Sequence, residues 1–197
     1  MNAQIEELQT RIEELLPKKR FLHTQGVQYL AACLAMCYGE SVERAMLAGL
    51  LHDNAKYIDF DVAINECERY CLPISDVERR NPFLLHGKLG AYYAKTKYGI
   101  EDDEILSAIT YHTTGKPNMS FLEKVIFLSD YIEPRRIQPT TPSLEVIRTT
   151  AFSNLDLAVY YALDNTVRYL KSTNKEMDEF TLKTLDYYRI VLNLNEK

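Results

Sequence analysis

Apolar residues recur every three to four positions along most of the chain, and runs that alternate apolar with polar residues are missing, so the pattern predicts helices nearly throughout. The first, about residues 2–16, sets Ile5, Leu8, Ile12, Leu15 and Leu16 on one stripe and stops at Pro17. A second is predicted from about Lys18 to Tyr38, with Gly39 as its stop. The third follows Ser41, a good N-cap, and carries Met46, Leu47, Leu50 and Leu51 up to an adjacent His52-Asp53 pair. Further helices are expected near 60–71, from about His86 to Tyr98 with Gly99 closing it, and from about Asp102 to Thr113. Ser120-x-x-Glu123 is a capping box for FLEKVIFLSDYI, which Pro134 ends. The stretch 134–142, with Pro139 and Pro142, reads as a linker to helices near 143–150, 153–171 and 179–194. The expected class is all-α.

At 197 residues the chain is long enough to bury a substantial core as one domain, 1–197. A hydrophobic share of 46% and a charged share of 26% are ordinary for a soluble protein. The net charge of −5 argues against nucleic acid or an anionic membrane as the main partner. The N-terminal stretch is acidic and amphipathic, unlike a signal peptide, and no apolar run approaches the roughly 20 residues of a membrane span, so a cytoplasmic location is expected. The apolar stripe of the first helix could pack on this domain or on a second copy, which leaves a homodimer open. Cys33, Cys37, Cys67 and Cys71 form two CxxxC pairs that a four-thiolate zinc site would tolerate, but buried free thiols are the expected reading.

The His52-Asp53 pair poses a problem, because an ionised aspartate at the end of an apolar helix needs a partner. The chain has four histidines, His23, His52, His86 and His112, each in or beside a different predicted helix. Asp130 closes another apolar helix. An all-α fold can bring such groups to one centre, and imidazole with carboxylate suits a divalent first-row metal. The spacing is too long for a local metal motif, so on the residues alone a metal cluster and four separately satisfied core histidines stay equally open.

The order RFLH, LLHD, a downstream His86, YHTTG and LSDYIEPRR resembles the HD phosphohydrolase superfamily. Within it, RFLHTQGV, AGLLHDNAK, LLHGKLGAYYAK, AITYHTTGKPNMSFLEKVIFLSDYIEPRR and ALDNTVRYL are similar to the YqeK family of symmetrical dinucleoside tetraphosphate hydrolases, over about residues 20–171. The resemblance implies an HD-domain helical bundle with additional N- and C-terminal helices. Its metal-site core would span about 18–136, and the helices of 143–194 would complete the bundle and the substrate pocket. It implies two divalent ions: His23, His52, Asp53 and Asp130 would hold one, and Asp53, His86 and His112 the other, with Asp53 bridging. Iron is the usual ion of such families, and manganese, cobalt or nickel would suit the same donors. The implied reaction is attack of a metal-bridging hydroxide on an inner phosphate of diadenosine tetraphosphate, giving two ADP.

Around that site, Lys56 follows His52 by one helical turn, which makes it a catalytic and phosphate-binding candidate, with a solvated helix-end lysine as the plainer reading. Arg135 and Arg136 suit phosphate oxygens, although both could be surface charges after Pro134. His86 and His112 could instead bind phosphate as imidazolium in a one-metal enzyme. The loop STNKEMD, 172–178, with Lys175 as its one cation, is a candidate nucleoside cradle. The implied partners are a dinucleoside polyphosphate or ADP. Two rivals share the same ligands: another HD hydrolase, acting on nucleotides, cyclic dinucleotides or alarmones, and a non-catalytic nucleotide sensor.

Overall fold

A computed structural model describes residues 3–194 of the chain, so position 2, the expected start of the first helix, lies outside the described residues. Among these residues the secondary structure is helical, without strands: α1 (Ala3–Leu15), α2 (Lys18–Tyr38), α3 (Val42–Leu51), α4 (Phe60–Arg69), α5 (Asp76–Arg80), a 3-10 turn (Pro82–Leu85), α6 (His86–Tyr98), α7 (Asp103–Tyr111), α8 (Phe121–Ile132), α9 (Leu144–Ala151), α10 (Leu155–Ser172) and α11 (Glu179–Val191). Local chemistry sets many boundaries. The Ser41 hydroxyl accepts from Arg44 N at 3.3 Å to start α3. At α8, Ser120 Oγ accepts from Glu123 N at 3.3 Å while Glu123 Oε2 accepts from Ser120 N at 2.7 Å. Each such cap contributes about 1 kcal/mol.

The apolar stripe of α1 is covered within the chain: Ile5, Leu8, Ile12 and Leu16 are buried in the main core. Full burial of such a side chain is worth roughly 1.5–3 kcal/mol, so the stripe needs no second copy to cover it. Leu15, expected on the same stripe, instead faces outward at 48% exposure, because it falls at the helix end just before Pro17. The main core continues through α2, α3, α7, α8, α9, α10 and α11, ending at Leu185 and Tyr188. A smaller cluster of Ala55, Ala63, Cys67, Leu85, Leu89 and Tyr93 seats α4 on α6.

Helices α2 and α3 approach each other closely. A Cβ on Gly49 would stand 2.8 Å from Gln28 Cα, so glycine is what lets the two backbones meet. That approach brings the middle of α2 beside the end of α3, and so His23 beside His52.

Three expectations need correction. α3 stops at Leu51, and residues 52–57 follow as successive turns, so His52 and Lys56 do not share a helix face. Asp76–Arg80 and Pro82–Leu85 are short helical turns where the periodicity predicted none; five residues are too few to show a period, although Ser75 and Glu78 form a capping box. The cysteines are not a buried set: Cys67 is buried, but Cys33, Cys37 and Cys71 are exposed. Cys33 and Cys37 sit on a face of α2 that the core does not cover, while Cys67 joins the smaller cluster and Cys71 lies in the turn after α4.

Candidate metal and phosphate site

Three of the four histidines stand one residue beyond a helix end: His52 after α3, His112 after α7 and His86 after the 3-10 turn. The last carbonyls of a helix lack intrahelical donors, and an imidazole three residues on can supply one. His52 Nδ1 donates to Gly49 O at 2.7 Å, His112 Nδ1 to Ile109 O at 2.7 Å, and His86 Nδ1 to Phe83 O. His23 lies inside α2, where the carbonyls are already used, and its Nδ1 donates to Glu133 Oε1 at 3.0 Å. In all four rings an oxygen therefore fixes the hydrogen on Nδ1 and leaves the Nε2 lone pair facing inward.

The inward atoms surround Asp53, which is fully buried. Its Oδ2 faces His52 Nε2 at 3.0 Å and His23 Nε2 at 4.0 Å. Its Oδ1 faces His86 Nε2 at 3.4 Å and His112 Nε2 at 3.8 Å. Asp130 Oδ1 completes the first side, 2.9 Å from His23 Nε2 and 3.9 Å from His52 Nε2. His86 and His112 meet Nε2 to Nε2 at 3.0 Å. Thus one carboxylate presents one oxygen to each of two donor sets.

Those donors fit a divalent ion. His23 Nε2, His52 Nε2 and both oxygens of Asp53 are buried without a hydrogen bond of acceptable geometry, a costly state for polar atoms unless something else satisfies them. Two groups, His23-His52-Asp130 and His52-Asp53-His112, each bring their ligand atoms within 4.8 Å of one another. The electrostatics agree. Burial first, then the nearby His112, holds His52 well below the usual imidazole range. Burial and the Lys56 charge do the same to His86, and burial pushes His112 down to about 4. Burial alone would raise Asp130, but its close contact with His23 and the Arg136 charge outweigh it and hold the carboxyl well below its ordinary range. Neutral imidazoles beside ionised carboxylates are the protonation states that bind metal.

The cations gather around the same centre. Lys56 Nζ lies 3.0 Å from His86 Nε2 and 4.0 Å from Asp53 Oδ1; burial, then Arg20, pushes it down to about 8. Arg136 donates to Asp130 twice, from Nε to the backbone oxygen at 2.9 Å and from Nη2 to Oδ1 at 2.7 Å, so it is tied to the cluster and is no loose surface charge. The exposed Arg135 lines, with Lys19, Arg20, His23, Tyr57 and Arg136, a cavity of about 510 Å3 beside the first donor set. Lys175 stands apart, its Nζ 3.4 Å from the Oη of Tyr169 and 5.3 Å from that ring's centre; Tyr169, but not Lys175, lines a second cavity of about 690 Å3.

Two participants were not foreseen from the sequence. Arg20 pairs directly with Asp53 Oδ2, so the buried aspartate has a protein counter-charge besides any metal. It precedes His23 by three residues on α2, and that same-face spacing was the signal available. Glu133, three residues after Asp130, offered the same kind of signal.

Comparison with known proteins agrees with the geometry. The HD domain family matches residues 20–135. A protein of Halalkalibacterium halodurans named bis(5'-nucleosyl)-tetraphosphatase, symmetrical, is 42% identical over 86% of this chain and 88% of its own length. A Bacillus subtilis protein of the same name is 34% identical over 92% of this chain and 96% of its own. The crystal structure of a predicted HD superfamily hydrolase involved in NAD metabolism, from Clostridium acetobutylicum, superposes with a TM-score of 0.90 at 35% identity, covering 94% of this chain and 97% of that one. HD domains depend on divalent metal, and the buried histidines and aspartates supply donors for it. With its matched region enclosing all six candidate ligands, the chain belongs to the HD-domain hydrolases and, among them, to the YqeK family of symmetrical bis(5'-nucleosyl)-tetraphosphatases.

Proposed function

We propose that this chain hydrolyses dinucleoside tetraphosphates symmetrically, diadenosine tetraphosphate to two ADP, using two divalent ions shared across Asp53. The observation that carries the reading is the division of labour at that carboxylate: Oδ2 faces His23 and His52, while Oδ1 faces His86 and His112. His23, His52, Asp53 and Asp130 hold one ion, and Asp53, His86 and His112 the other. Iron is the ion we propose, and manganese, cobalt and nickel share its preference for this mixed donor set. When bound, such ions supply Lewis acidity toward a phosphoryl oxygen and make water a competent nucleophile at neutral pH.

The chain's own residues bind, orient and neutralise. Arg20, Lys19, Arg135 and Arg136 line the cavity beside the cluster and take the oxygens of the polyphosphate chain. Arg20, now paired with Asp53, and Lys56, now beside His86 Nε2, are the donors that bound ions would leave free for phosphate. The partly buried Lys56 ammonium then stabilises charge that builds on the attacked phosphate. Concentrating cations in one cleft of a chain with net charge −5 also draws a polyanion to that cleft. A nucleoside end fits the second cavity, which shares Gln138 with the first and is walled by Tyr131 and Tyr169, with Lys175 beside Tyr169. The helices after residue 143 thereby complete the pocket of a single domain, and the main core that runs from Ile5 to Tyr188 supports that reading. We place the protein in the cytoplasm; among the described residues no helix is long and apolar enough to cross a membrane.

The test is product analysis by ion-exchange chromatography after anaerobic incubation of the iron-loaded protein with diadenosine tetraphosphate. ADP as the sole product, absent with Asp53→Ala, is expected. AMP plus ATP would overturn the position of attack, and an intact tetraphosphate would overturn the activity.

A further inference from the structure

We infer that Glu133 is a positioning residue for the ion on the Oδ2 side, acting through His23, and that Gly26 is the residue that admits it. The inference rests on the two-ion reading above. His52, His86 and His112 are oriented by backbone carbonyls three residues earlier, which their places beyond helix ends provide without any further side chain. His23 has no such carbonyl, since the carbonyls around it within α2 bond to the helix itself. Only a side chain can fix its ring, and Glu133 Oε1 does so at 3.0 Å.

Glu133 is built for that one contact. It is 1% exposed, just past the end of α8. Its second oxygen, Oε2, accepts from Arg135 N at 2.7 Å, so neither oxygen is spare. Arg148 holds the surrounding backbone, donating from Nε to Ile132 O at 2.8 Å and from Nη2 to Glu133 O and Arg136 O at 3.1 Å each. On the other side, a Cβ at Gly26 would stand 2.6 Å from Glu133 Oε2 and 3.3 Å from its carboxyl carbon. A side chain at position 26 would therefore force the carboxylate to shift from the position in which it holds His23. Freed from it, the His23 ring can turn or carry its hydrogen on Nε2, and either change removes the lone pair from the ion's side. The same turn also places Arg135 and Arg136, so the segment that orients a ligand also orients the phosphate-binding arginines.

Two variants test this by different routes. Glu133→Gln keeps the size, but an amide cannot accept from both His23 Nδ1 and Arg135 N. Gly26→Ala leaves Glu133 chemically intact and puts a methyl where its carboxylate stands, while alanine favours the helix it joins. Ions per chain and their affinities are measured by equilibrium dialysis against manganese, and the tautomers of all four histidines by long-range nitrogen–proton NMR of the metal-free protein. Expected is a wild type with two ions and Nδ1–H on His23. Both variants should bind one ion about 10- to 100-fold more weakly and the other unchanged. His23 alone should change its NMR pattern, with His52, His86 and His112 as internal standards. Two full-affinity ions and an unchanged His23 in both variants would overturn the inference, and so would a shift of all four rings together, which marks a disturbed fold. A wild type that takes up no ion would sink the two-ion reading instead, and the His23 tautomer would still decide whether Glu133 sets the ring.

Discussion

The two sides of Asp53 are built differently. On the Oδ1 side, His86 and His112 are 4% and 2% exposed, held by backbone carbonyls at helix ends, with Lys56 at hand. On the Oδ2 side, His23 sits within α2, lines the cationic cavity and relies on Glu133, while Asp130 is 17% exposed and tied to Arg136. One side is oriented by the fold itself, so disturbing it means moving backbone. The other takes His52 from the fold in the same way, through Gly49 O, but has His23 and Asp130 oriented by side chains, so single substitutions can retune those two ligands without touching a helix. On the reading proposed above, the difference would also separate roles, with a sheltered ion beside Lys56 and a more open one on the side of the cationic cavity.

The largest effect should come from removing the residue the two sides share. Asp53→Ala is expected to abolish binding of both ions and cut hydrolysis about a thousandfold or more, read by metal analysis and ADP release. It also leaves the Arg20 guanidinium, now paired with Asp53, without its partner in a largely buried setting, so the melting temperature of the metal-free variant should fall as well. Next come the single-side changes. His112→Ala should lose the Oδ1-side ion and keep the other, and Arg136→Ala should loosen Asp130 and weaken only the Oδ2-side ion, by about tenfold. Titration with manganese, monitored by dialysis, distinguishes them; loss of both ions in either variant would show that the two sides are not separable.

Smaller still, Lys56→Ala should keep both ions and lower kcat by about a hundredfold, with KM little changed, if the ammonium acts on charge that develops during reaction. An effect confined to KM would make Lys56 a simple substrate contact. The smallest effect near neutral pH is on stability. His52, His86 and His112 are held neutral by burial, their pKa values depressed below the ordinary value of about 6.5. Below that pH the unfolded chain takes up protons that the folded chain rejects, so the metal-free protein should lose stability as pH falls, progressively down to about 4, the value for His112. Melting temperatures between pH 7 and 4 would show it, and His112→Gln should flatten the curve.

Much of this site was legible in the sequence because helix ends announce themselves. Gly39, Ser41, Gly99 and the Ser120–Glu123 box mark boundaries that the structure reproduces to within a residue or two, whereas the ends of α3 and α7, just before His52 and His112, carry no such mark. The order of histidines and aspartates carried the family resemblance. Lys56 was placed on the wrong geometry, because nothing in LLHDNAKY signals that the helix gives way to turns after Leu51. Exposure of Cys33, Cys37 and Cys71 was equally hidden, since a small apolar residue fits either face of a helix.

The sequence by itself determined the helices, their caps and the kinds of donor available, because these depend on contacts within a few residues. Only the tertiary structure decided which atom of each donor faces which. That Asp53 offers one oxygen to each pair of histidines, that Arg20 competes for the same carboxylate, and that Glu133 reaches His23 from 110 residues away are consequences of packing α2 against α3 and α8. The missing side chain of Gly26 shows the reason most directly: its meaning lies in the carboxylate of Glu133 that occupies the space, and no local pattern records a neighbour that arrives only when the chain folds.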